Sequence, residues 1–155
     1  MVSCATNDSY YTKAEYSNKK RLPLIYPLEI TSYKKGNSKW VISDFKDENS
    51  EYLSAVKSFT IDSMAFDSAG VYLIVNKSPI LVNQNFVTGV AQDTMYRYGY
   101  FYINMKSHLV EEYESRNDFV LKLGERPYNQ ILLIGNEEIE RKYLFFCQKR
   151  QAIWP

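Results

Sequence analysis

Histidine and cysteine are nearly missing from this chain. Its 155 residues contain one histidine, His108, and two cysteines, Cys4 and Cys147. A single histidine withdraws the commonest general base and the commonest zinc ligand. Neither cysteine has the spacing of a zinc site, so no metal is expected. Glycine is sparse as well: Gly36, Gly70, Gly89, Gly99, Gly124 and Gly135 stand alone, which excludes a glycine-rich phosphate cradle and leaves no cofactor site in view. Long apolar runs are lacking, so no segment has the roughly 20 residues that cross a bilayer as a helix. One-sided charge is lacking too. Nineteen Lys and Arg against 18 Asp and Glu give a net charge of +1, too little for a broad nucleic-acid footprint. The expectation is a protein that is not an enzyme, carries no cofactor and binds no nucleic acid.

What the chain does have is tyrosine. It holds 14 Tyr, 8 Phe and 2 Trp, and aromatics make up 15% of the residues. Such a content favours strands and surfaces that bind something, because a phenol offers rigid contact area with a polar tip. With 45% hydrophobic and 24% charged residues, the composition is that of a globular chain. Its length suits one domain that buries about two-thirds of its unfolded surface.

Along the chain, Met1 to Arg21 is mostly polar and cannot offset its own ordering entropy. It reads as a flexible tether with Tyr10, Tyr11 and Tyr16 as docking points, and residues 22–155 read as the globular domain. Pro23 and Pro27 predict an edge strand or extended entry over Leu22 to Tyr33, followed by a turn and a partner strand from Trp40 to Phe45. Glu51 to Phe59 fits helix or strand, and Ser63 to Gly70 reads as a loop. Val71 to Val75 and Ile80 to Val87, joined by Asn76-Lys77-Ser78-Pro79, read as a hairpin. Tyr96 to Met105 reads as a strand and Ser107 to Arg116 as a short amphipathic helix. Phe119 to Leu123, Gln130 to Ile134 and Lys142 to Gln148 read as further strands. The fold class is therefore mainly β: a single antiparallel β-rich domain with one or two short helices.

Strand alternation places Tyr96, Tyr98, Tyr100 and Tyr102 in a row on one face, opposite Arg97, Gly99, Phe101 and Ile103. The row is either the centre of a protein interface or a half-buried sheet face beneath a helix. Ser107, His108 and the cluster Glu111, Glu112 and Glu114 supply the parts of a hydrolase site, but neighbours on a helix point in different directions, and no Gly-x-Ser-x-Gly elbow exists. The glutamates read more simply as a solvated face. Cys147, in Tyr143-Leu144-Phe145-Phe146-Cys147, reads as a buried inert thiol.

Met1-Val2-Ser3-Cys4-Ala5 resembles the lipobox of bacterial lipoproteins, in which the cysteine becomes the lipidated first residue. Three residues precede Cys4, whereas a signal peptide needs a charged start and about 7–15 apolar residues. Either a leader has been removed or Met1 is an internal start giving a cytoplasmic form. Cys4 is then the lipidation site or, in an exported unlipidated chain, a disulfide partner for Cys147. Val2-Ser3-Cys4-Ala5, the polar tether and the strand-rich body closing at Tyr143 to Arg150 are together similar to the immunity lipoproteins that protect against type VI secretion lipase effectors. That resemblance implies an immunity protein in the periplasm that binds and sterically neutralises a cognate toxin, a phospholipase or lipase effector. It also implies sorting to the outer membrane, with the membrane reached only through the lipid. The expected partner-binding residues are Tyr96, Arg97, Tyr98, Tyr100 and Tyr102, with Asp44, Asp47 and Glu48 as a charged rim that steers the partner. The alternative is a structural or assembly lipoprotein of an envelope machine.

Overall fold

The computed structural model describes residues 10, 18–34, 39–82, 93–124 and 133–149, with side chains at all of these except 78–82, 93–96 and 149. Cys4, Tyr11, Tyr16, residues 35–38 of the first turn, the expected strand over 130–132 and the C-terminal Trp154 lie outside the described residues.

Two antiparallel sheets and two helices make up the described chain, in agreement with the β-rich fold expected. The smaller sheet has strands β1 (Lys19–Pro23), β2 (Leu28–Tyr33) and β3 (Val41–Asp44) in that spatial order. Leu22 to Tyr33 is thus not one edge strand. Pro23 closes β1, where a missing donor does least harm, and the turn to β2 contains a cis Tyr26–Pro27 peptide. The sheet already includes Lys19, Lys20 and Arg21, and Tyr10 is fully buried. Its hydroxyl donates to the Leu28 carbonyl and accepts from the Leu24 amide.

The larger sheet holds β4 (Thr60–Phe66), β5 (Gly70–Val82), β6 (Asp93–Asn104), β7 (Leu109–Tyr113) and β8 (Ile134–Gly135), ordered β7-β6-β5-β4-β8. Here several expectations are corrected. Ser63 to Phe66 is strand rather than loop. Asn76 to Pro79 is a register shift inside one long strand, and the hairpin partner of β5 is β6. That segment lacks the Asn-Gly or Asp-Gly pair that a two-residue turn demands, so the chain runs on. Leu109 to Tyr113 is an edge strand rather than a helix. It is short and carries Glu111 and Glu112, a composition that discourages further pairing.

Helix α1 (Arg116–Gly124) occupies the segment expected as a strand from Phe119. Its start is fixed by Ser115, whose hydroxyl accepts from the Asp118 amide at 3.1 Å and donates to the Asp118 carboxylate at 2.6 Å. That is a reciprocal cap of the kind that nucleates helices. Helix α2 (Asn136–Lys149) likewise replaces an expected strand over Lys142 to Gln148. Ile139, Tyr143 and Phe146, spaced by four and three residues, turn inward, while Leu144 and Phe145 are exposed. The apolar run that suggested a strand is cut in two by the helical period.

The main core lies between the two sheets. Leu22, Ile30, Trp40 and Ile42 meet Val71, Leu73, Val75, Phe101 and Ile103, and α2 adds Ile139, Tyr143 and Phe146. Glu140 ties α2 to the smaller sheet by accepting from Trp40 Nε1 at 2.9 Å and from Lys20 Nζ at 3.4 Å. On the other face of the larger sheet, α1 lays Phe119 over Tyr72, Tyr100 and Tyr113. The central strands β5 and β6 are therefore covered on both faces near the middle of the sheet. Gly99 leaves room for this packing: a Cβ there would sit 2.6 Å from Lys77 Cε and 2.7 Å from the Phe101 ring.

Candidate partner-binding site

Strands β5 and β6 outrun their neighbours. β4 accompanies β5 only as far as the Thr60–Asn76 pair, and β7 accompanies β6 only from Tyr100 onward. Past those points, Pro79–Tyr96 through Val82–Asp93 pair with each other, and among the described residues no further strand joins them. At about 3.4 Å per residue the four pairs form a ribbon about 13 Å long. A two-stranded ribbon is marginal on its own in water, and its outer edges carry backbone donors and acceptors available to another chain.

The tyrosine row runs from this ribbon into the sheet, and its members differ in burial. Tyr102 is 5% exposed, packs against Tyr72 with ring centroids 4.6 Å apart and tilted by 37°, and lies under Lys122 at 5.3 Å. Tyr100 is half-buried against Phe119. Both belong to the packing beneath α1. Tyr98 is 46% exposed, and Arg97 is also exposed. They sit at the root of the ribbon, where the sheet narrows to two strands. Tyr96 pairs with Pro79 in the ribbon itself.

The acidic residues form a separate place. Asp44 is buried and organises its own loop: Oδ1 accepts from the amides of Lys46 at 2.8 Å and Asp47 at 3.2 Å, and Oδ2 accepts from the Tyr52 hydroxyl at 2.8 Å. Asp47 and Glu48 are exposed, and Glu48 lies 3.9 Å from Lys19. The Tyr52 ring stacks on His108 at 5.2 Å and 19°. His108 closes the β6–β7 turn with a positive φ of 55°, and its amide donates to the Asn104 carbonyl at 2.9 Å. The Ser107–His108 pair is thus part of a turn rather than of a helix face. From Asn104 to Tyr98 the strand spans about 20 Å, so the Asp44–Tyr52 pair beside His108 lies toward the Asn104 end of β6, away from Tyr98 at its middle.

Burial, then the hydrogen bond and charge of Asp44, raise the Tyr52 phenol well above its ordinary pKa of 10.0. The folded state therefore favours neutral Tyr52. That contribution to stability is whole below about pH 10 and is lost as the pH rises beyond it. Tyr52→Phe is expected to cost about 0.5–1.5 kcal/mol at pH 7. It should also flatten the loss of stability above pH 10, as read by urea unfolding across pH 7 to 11. A variant with the same alkaline slope as the parent would contradict this assignment.

Among the described residues, no group of three or more His, Cys, Asp and Glu side chains is placed to hold a metal ion. No described helix is long and apolar enough to cross a membrane. Pro79 reads in sequence as a turn residue, so the ribbon is not legible there; the signal that exposes it is the missing turn glycine. No family model, characterised protein or solved structure matches the chain.

Proposed function

We propose that the chain is a protein-binding immunity factor that neutralises a cognate secreted toxin sterically, without catalysis of its own. The toxin would be a lipase or phospholipase effector met in the bacterial envelope. The observation that carries the binding role is the β5–β6 ribbon, with exposed Tyr98 and Arg97 at its root. Tyr and Arg are the residue types that dominate interface energetics when desolvated by a partner, and among the described residues no strand pairs with the ribbon's outer edges, which suits strand addition. The lipobox-like Val2-Ser3-Cys4-Ala5 and the polar segment behind it support a lipid tether at Cys4 that holds the chain in the periplasm.

The test is to recover the partner from envelope and secreted fractions with the tagged chain, and then to assay inhibition of the recovered enzyme directly. Tyr98→Ala and Arg97→Ala are each expected to weaken the complex by about 2 kcal/mol or more, roughly 30-fold in Kd. The unfolding midpoint should barely move, since both side chains are exposed. Inhibition that survives both substitutions would move the interface elsewhere. Recovery of envelope-machine subunits in place of an enzyme would replace immunity by an assembly role.

A further inference from the structure

A second site lies where the two sheets part. Their backbones meet through the Ile61 amide, which donates to the Trp40 carbonyl at 2.8 Å. Lys39 and Val41, either side of Trp40, and Ser58 to Thr60, just before Ile61, then line a cleft of about 530 Å³ floored by the end of β2. That volume suits a small molecule.

The lining has a definite chemical character. Lys19 and Lys39 both line it, and among the described residues no Asp or Glu does. In a chain of net charge +1, an acid-free recess with two lysines is locally positive, and a recess walled by low-dielectric protein concentrates that field. Glu48, 3.9 Å from Lys19, has a side chain 76% exposed, so solvent screens that pair heavily. Tyr33, 62% exposed, and Phe59 supply apolar ring surface in the same recess. Lys19 Nζ already lies 5.5 Å from the Tyr33 ring centroid. Ser32 belongs to the lining too: it is 2% exposed, and its hydroxyl has no hydrogen-bond partner among the described residues. A buried hydroxyl without a partner is costly, and a polar recess is where such a group finds one.

The geometry points to a binding site for a small organic anion, a carboxylate or phosphate ester on a ring-bearing body, held by Lys19 and Lys39 and packed against Tyr33 and Phe59. The cleft reaches the ribbon's root, since Asn76 lines it and pairs with Tyr98, but Lys19→Gln/Lys39→Gln leaves Tyr98 and Arg97 in place, so binding here and partner binding there are tested separately.

The test is a titration of the full chain with phenyl phosphate and, separately, benzoate, followed by amide chemical shifts. Benzyl alcohol serves as the neutral control. Saturable shifts at Lys39, Ser58, Thr60 and Asn76 are expected with at least one anion, and the stronger of the two names the head group. Benzyl alcohol should give less than a tenth of the response. The double variant Lys19→Gln/Lys39→Gln should raise the apparent Kd at least tenfold while leaving shifts in α2 and β6 in place. No saturable response to either anion would overturn the site. So would an equal response to benzyl alcohol, or unchanged binding in the double variant.

Discussion

Replacing Glu29 by alanine is expected to lower the unfolding free energy by about 3–5 kcal/mol, measured by urea unfolding at neutral pH. Arg21 and Glu29 face one another across the smaller sheet with side chains 0% and 3% exposed. Their ion pair is reinforced by a bond from the guanidinium to the Tyr10 carbonyl. The guanidinium also stacks on the Tyr10 ring at 4.7 Å and the Phe45 ring at 4.6 Å. Removing Glu29 strands a cation that water cannot reach, and that penalty exceeds the loss of the attraction itself. Arg21→Met/Glu29→Leu should therefore recover most of the loss, because neither charge is left buried alone. A cost below about 1 kcal/mol for Glu29→Ala would mean the pair is hydrated in solution.

Phe119→Ala should cost about 3–5 kcal/mol. Phe119 is fully buried and is the residue through which α1 grips the larger sheet, with ring centroids of Tyr72, Tyr100 and Tyr113 at 5.8 to 6.1 Å. Truncation removes the body that these three rings pack around, and the short helix has little else to hold it there. Val120 and Leu121 on the same helix are exposed, so substituting either by Ala should change stability by about 0.5 kcal/mol or less. Equal costs at Phe119 and Leu121 would show that α1 docks by another face. Far-UV circular dichroism separates loss of the helix from loss of the whole fold.

Strand pattern was readable in the sequence wherever side chains alternate in kind. Tyr98 to Ile103 alternates phenols with Gly99, Phe101 and Ile103, and the sheet uses both faces as that alternation implies, one toward the main core and one toward α1. Helix against strand was misjudged where a short apolar run serves either period. Phe119 to Leu123 and Lys142 to Gln148 read as strands, yet Ser115 with Asp118 caps one as a helix, and Ile139, Tyr143 and Phe146 set the period of the other. The opposite error at Leu109 to Tyr113 has the same root. Five residues fit both templates, and only pairing with β6 decides between them.

By itself the sequence determined the class of the fold: a β-rich domain with one histidine, scattered glycines and a surplus of tyrosine. Composition and alternation are local properties, so they survive without knowledge of the fold. Only the tertiary structure decided which tyrosines are buried and which are exposed. It separated Asp44 from Tyr98, extended β5 and β6 past their neighbours, and set Lys19 and Lys39 on one cleft. Each of these depends on which strands lie side by side and where their ends fall. That is fixed by contacts between residues far apart in the chain, which no local pattern encodes.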